Sequence, residues 1–270
     1  MEKHQLFPRT ERLSIITAFI MLAYALMPFV QIPPRDISFK LFGVLINFRL
    51  NFSIVVSLIA AGLATSGMDW LLRDHPQATE KSLYPHYLLP GLTAWVIGIP
   101  LGLLTVSIQW WVVYGLGSLL LFSVLIAEYI SMDSKDTRYP PALMVLNAVS
   151  YGLFLTLAIA IRASGMRLYL ILFILVPTLA LLCLRVFHLR MGEKWNLEWS
   201  AAITLVITQI AIGLHYLPLS PIRFGLVLLG PAYALISLAA RMDENKPFSS
   251  RITEPIIMLI LFWILAGLFS

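Results

Sequence analysis

Charge is scarce in this chain. Of 270 residues only 12% are Asp, Glu, Lys or Arg, while 59% are hydrophobic. A water-soluble domain carries about 25% charged residues, so there is too little polar material here to clothe a water-facing surface. Cysteine is scarcer still. Cys183 stands alone, which excludes an intrachain disulfide and a thiolate metal cluster. The six lysines (3, 40, 81, 135, 194, 246) all lie between apolar runs, and a retinal Schiff base needs one at mid-span, so a rhodopsin is excluded. None of the histidines (4, 75, 86, 188, 215) lies mid-run, which argues against axial ligation of a transmembrane haem. No carboxylate sits at the centre of a run either, and an ion-coupled relay needs a titratable group there. Paired-glutamate protease motifs, a Gly-x-Ser-x-Gly elbow, a phosphate-binding Gly-rich loop and a His-x-x-x-His metal helix are all missing.

What is present is a series of apolar runs near 20 residues, each long enough to span a bilayer. They predict an all-α integral membrane protein, a polytopic bundle of about nine helices. The expected spans are 13–32, 51–72, 84–106, 109–130, 140–163, 166–188, 198–216, 221–240 and 253–269. Several are separated by only two or three residues, so neighbours run antiparallel. The first is read as a retained helix, because no small-residue cleavage pattern follows it. With the N-terminus inside, thirteen Lys and Arg fall on the cytoplasmic side and six outside (Arg35, Lys40, Arg49, Arg162, Arg167, Arg223). This is the positive-inside bias. It also accounts for the net charge of +5 without nucleic acid, for which no motif is present.

The first outer loop has an unusual pattern. Ile37, Phe39 and Leu41 share one parity and Val44, Ile46, Phe48 and Leu50 the other, switching at Phe42-Gly43. Period two on each side of a glycine suggests a short β-hairpin on the outer surface, against a loop with its apolar side chains dipped into lipid. Met-Asp closes three of the inward-running spans, at Met68-Asp69, Met132-Asp133 and Met242-Asp243. Proline opens several of the next ones. The whole chain, 1–270, is read as one transmembrane domain, with four repeated hairpins (51–106, 109–163, 166–216, 221–269) after a leading helix as one possibility. The alternative is convergent punctuation, since proline suits a helix's first turn. Pro100, Pro177 and Pro231 fall within spans and are read as kinks that neighbouring helices repair. Trp110-Trp111 reads as an interfacial anchor.

Chemistry, if present, is expected at the cytoplasmic face. Glu128 lies about one turn inside a span end, and Arg185 and His188 are three apart, hence on one helix face. Asp69, Asp74 and His75 end one span, His86 begins the next, and Asp133 follows the fourth. One reading makes these a wet pocket with carboxylates holding Mg²⁺ against a diphosphate, Arg185 on phosphate and His75 or His86 as acid or base. The plainer reading is a Glu128–Arg185 ion pair with solvated loop charges. Intramembrane aromatic prenyltransferases also have nine helices and carry Asp-rich motifs after the second and sixth. Asp69 and Asp74 occupy the first place, but the second offers only Glu193 and Glu198, and the Asp-x-x-x-Asp pattern is missing. No roles are carried over from that family, and the sequence names no cofactor or metal.

Three functional readings follow. The leading one is a non-catalytic subunit, scaffold or assembly partner of a larger membrane complex, since buried ionisable groups are few and loops are short. The second is a membrane enzyme acting on a lipid or isoprenoid at the cytoplasmic leaflet, which requires Asp69, Asp74, Glu128 and Asp133 to converge. The third is an uncoupled carrier or lipid transporter, which requires a cavity near Pro177 and Pro231. The expected location is a prokaryotic cytoplasmic membrane, with the lipid bilayer and other membrane subunits as partners.

Overall fold

In the computed structural model the chain forms nine α-helices and one pair of strands among the described residues. The structure describes residues 10–30, 33, 35–41, 44–78, 82–191, 195–242 and 248–269; of 35–41, 44–50 and 248–250 it describes the backbone alone. The helices are α1 (Thr10–Leu26), α2 (Phe52–Leu72), α3 (Pro85–Leu103), α4 (Ile108–Ser131), α5 (Tyr139–Ala163), α6 (Leu168–Arg190), α7 (Leu197–His215), α8 (Pro221–Ala240) and α9 (Phe248–Leu268). Eight of them, α2 to α9, are long and apolar enough to cross a membrane. The chain is a polytopic helical membrane protein. Helices dominate because hydrocarbon offers no partner to backbone N–H and C=O groups, and a helix satisfies them within one segment.

The first helix departs from the expected 13–32. It ends at Leu26, and the backbone turns over Met27–Phe29. Pro28 is the reason: it has no N–H to donate, and its ring collides with the carbonyl four residues back. Seventeen residues make a helix of about 25 Å, short of a hydrocarbon core of about 30 Å.

The chain divides into two compact units, Met1–Ala142 and Leu143–Ser270. In the first, β1 (Arg35–Leu41) and β2 (Val44–Leu50) pair antiparallel, from Arg35 opposite Leu50 to Leu41 opposite Val44. Residues 42 and 43, where the side-chain parity switches, lie outside the described residues, as does Asp243 of the third Met-Asp pair. Helices α1 to α4 surround a core that includes Ile16, Ile20, Tyr24, Ala60, Ala64, Met68, Leu121 and Leu125.

The α2–α3 contact is the most extensive in this unit. A Cβ placed on Gly98 of α3 would stand 2.7 Å from Ser57 Cβ of α2, and one on Gly102 would stand 2.6 Å from Ser53 Cβ. Small residues let helix backbones approach where lipid supplies no hydrophobic drive between them.

Trp110 corrects its expected role. Its side chain is 1% exposed, against 55% for Trp111, and its indole N–H donates to the Leu101 carbonyl at 3.1 Å. That carbonyl lies in the last turn of α3, where no helical N–H remains to meet it. Trp110 is a core residue that caps α3.

In the second unit α6, α7, α8 and α9 pack in sequence, and α8 also meets α5, where a Cβ on Gly225 would stand 2.8 Å from Ile159 Cγ1. Helices α6, α8 and α9 run through Pro177, Pro231 and Pro255 without interruption. Gly165, at φ 63°, makes the left-handed turn between α5 and α6.

Two arginines are spent on helix ends. Arg162, in the last turn of α5, donates to the carbonyls of His215 (3.1 Å), the last residue of α7, and of Leu217 (2.9 Å) just past it, and lies over the Phe224 ring. Arg223 of α8 donates to the Ala266 carbonyl near the end of α9 at 3.1 Å. A cation at a helix C-terminus meets both the unsatisfied carbonyls and the negative end of the dipole.

Candidate functional site

In the first unit the ends of α2 and α4 and the start of α3 carry six of the eight candidate residues. Each carboxylate has a different set of partners. Asp69 is held by Arg73 one turn on, at 2.6 Å, and accepts from the Tyr87 hydroxyl of α3 at 2.6 Å. Asp74 pairs with Arg12 of α1 at 2.8 Å. Arg12 also donates to the Trp70 carbonyl at 2.9 Å and stacks on that residue's ring. Asp133 accepts from the Gln77 amide at 2.9 Å. The Gln77 backbone N–H donates to His75 Nδ1 at 3.2 Å, and the His75 ring meets Tyr129 edge-on. Gln77 is thus the bridge that brings His75 and Asp133 into one arrangement.

Glu128 is the deepest acid. It is fully buried, and its carboxylate Oε2 lies 2.8 Å from Nδ1 of His86, itself 7% exposed. A charge taken from water survives only with a partner, and α3 delivers one because its first turn packs beside the last turn of α4. Ser131 completes the group. Its hydroxyl donates to the Glu128 carbonyl at 2.9 Å and lies 3.3 Å from His86 Nδ1.

The three residue types suggest a nucleophilic triad, but the arrangement is different. In a triad the acid orients one ring nitrogen and the nucleophile meets the other. Here Glu128 and Ser131 both approach Nδ1, so no path carries the serine proton through the ring to the acid. The group ties α3 to α4. Among the described residues, no three His, Cys, Asp or Glu side chains gather in a way that could hold a metal ion.

The loop from α4 to α5 is closed by Asp136. Its carboxylate accepts the Arg138 backbone N–H at 2.9 Å and faces the guanidinium of the same residue at 3.3 Å. The backbone bond above all holds this carboxyl below the usual carboxylate range.

Arg185 and His188 belong to the second unit and lie on the buried face of α6. The His188 ring lies 5.1 Å from that of Trp195. This unit also holds a polar cluster that sequence reasoning missed. Glu254 of α9 pairs with Arg241 and accepts from the Tyr233 hydroxyl of α8. The Tyr233 ring packs 4.9 Å from Tyr151 of α5. Arg190, the last residue of α6, reaches Ser237 Oγ of α8 at 3.4 Å. A signal for Glu254 existed. Starting the last span at 253 left it at the membrane edge, whereas α9 begins at Phe248 and carries it into the second turn, where an acid needs a partner as Glu128 does.

A cavity of about 10 Å³ lies between α5, α6 and α8, lined by residues that include Ser150, Tyr151, Leu182 and Ala232. That is room for about one water.

A family model described as a protein of unknown function (DUF5656) matches residues 32–269, and the chain belongs to that family. No curated protein matches it, and no solved structure does.

Proposed function

We propose that this member of the DUF5656 family is a non-catalytic subunit or scaffold of a larger membrane assembly. One observation carries the reading: the ionisable groups at the helix ends of the first unit are used to join helices. Arg12–Asp74 joins α1 to α2, Tyr87–Asp69 joins α3 to α2, and His86–Glu128 joins α3 to α4. A metal–diphosphate centre needs several oxygen ligands on one cation, whereas these carboxylates are turned toward separate partners. A carried solute needs a bed of some hundreds of Å³, and the cavity near Pro177 and Pro231 measures about 10 Å³. The last helix supports the same reading, because only 11% of its span is buried. Ile257, Ile260, Trp263 and Ile264 present an apolar face that lipid or another subunit covers. The loops after α2, α4, α6 and α8 face the cytoplasm on this reading, following the basic residues.

Native mass spectrometry after gentle extraction tests the proposal. Co-migration with other membrane proteins at fixed stoichiometry is the expected result. A lone chain that turns over a lipid or isoprenoid substrate would overturn it and move attention to the carboxylates at the ends of α2 and α4.

A further inference from the structure

Two hydroxyls exposed on the spans close their own hydrogen bonds. Ser123 and Thr156 each donate to the carbonyl four residues earlier in the same helix, and Thr208 of α7 does the same to Thr204. Gln209, the next residue, does not. Its side chain is exposed, and it makes no hydrogen bond among the described residues.

Gln209 also lies deep. Trp199 and Tyr216, 39% and 75% exposed, stand at the two ends of α7 and mark the membrane interfaces, where such amphipathic rings settle. At 1.5 Å per residue Gln209 is about 15 Å along the axis from Trp199 and about 10 Å from Tyr216. Water and lipid carbonyls lie beyond those levels, so hydrocarbon offers the amide no partner.

The amide sits in a continuous stripe. Ala202, Leu205, Val206, Gln209 and Gly213 are all exposed and recur at intervals of three and four residues, which puts them on one face of α7. A Cβ built on Gly213 meets nothing within 4 Å, so another helix backbone can come close one turn from the amide. No Asp, Glu, Lys or Arg lies between Trp199 and Tyr216.

We infer that this stripe is the contact between two copies of the chain, paired about a two-fold axis beside Gln209. A carboxamide carries both donors and an acceptor, so two of them satisfy each other. Copies inserted in the same orientation run their α7 helices parallel and bring both Gln209 residues to the same depth. A foreign helix meets that condition only with a polar group of its own at that level. A two-fold contact uses the same patch on both chains, and the stripe has no charge to repel its own copy. The pairing goes beyond the subunit reading and does not depend on it, since it needs no other protein.

The test uses the full chain. Donor-labelled and acceptor-labelled populations are reconstituted together in phosphatidylcholine vesicles, and energy transfer is followed as added lipid dilutes them. Transfer above random collision that falls with dilution is expected. Gln209→Leu raises the mole fraction of half-dissociation by about tenfold, as loss of two reciprocal hydrogen bonds between helices requires. Gln209→Asn, which retains donor and acceptor, restores most of the pairing. Gly213→Leu guards against a folding artefact. Its new side chain projects into open space, so the melting temperature of the chain is unchanged, while the blocked approach weakens pairing several-fold. In native membranes a photoreactive residue in place of Val206 is expected to link to a second copy. Transfer no greater than random collision, pairing that Gln209→Leu and Gly213→Leu both leave intact, or cross-links from position 206 only to lipid or to a different protein would overturn the inference.

Discussion

The α2–α3 seam yields a quantitative prediction. Replacing Gly98 by alanine puts a methyl group 2.7 Å from Ser57 Cβ and 3.3 Å from Ser57 Cα. Carbon atoms rest about 3.5–4.0 Å apart, so the helices must part by about 1 Å or Ser57 must yield. Overpacking of this kind costs about 1–3 kcal/mol. Against it, alanine favours a helix over glycine by about 1 kcal/mol. The two nearly offset, so the single variant lies between wild-type stability and about 2 kcal/mol below it, and by itself decides little. The double-mutant cycle decides. Ser57→Gly removes the atom that is struck, and the methyl at position 98 then keeps its helix benefit without most of the clash. The coupling between the two changes is expected at about 1–3 kcal/mol, favouring the double variant over the sum of the singles. Unfolding in mixed micelles titrated with dodecyl sulfate, read by tryptophan fluorescence, gives the four free energies. A coupling below about 0.5 kcal/mol, within the additivity of independent sites, would refute the close approach of α2 and α3.

Three further outcomes follow from the geometry. His86→Ala strips the ring from a fully buried carboxylate and is expected to cost about 3 kcal/mol or more in the same titration, while Ser131→Ala costs about 1 kcal/mol; equal effects would sink the assignment of His86 as a charge partner of Glu128. Trp110→Phe keeps the aromatic bulk but loses the bond to Leu101 O, a cost of about 1 kcal/mol or more, whereas Trp111→Phe, at a half-exposed site, stays within about 0.5 kcal/mol. Asp136→Asn probes pH: a carboxyl held below its ordinary range stabilises the fold above its unfolded pKa, and that contribution is lost as pH falls through the folded value. The variant is therefore less stable than wild type at neutral pH, and the gap closes below about pH 4; a gap that persists in acid contradicts the argument.

The helical membrane class was legible in the sequence because it rests on local properties. A run of about 20 apolar residues must satisfy its own backbone in hydrocarbon wherever it ends up, so composition along the chain is sufficient to find the spans. Pro28 was equally local, and its effect on α1 follows from covalent geometry that an apolarity count overlooks. Glu128 was picked out for the same kind of reason: an acid inside an apolar helix needs a partner. Which partner it takes was not local. His86 stands 42 residues away and Arg162 reaches a carbonyl 53 residues away. These pairs exist because particular helix faces meet, and the face is set by small-residue seams such as Gly98 against Ser57. The same holds for Trp110, which carries the sequence mark of an interfacial anchor but is turned inward onto the end of α3. The sequence alone determined that the chain crosses a membrane as helices, since each helix closes its own hydrogen bonds. Tertiary structure decided how each ionisable end is spent, because a buried charge or an open helix end takes whatever group packing brings within reach.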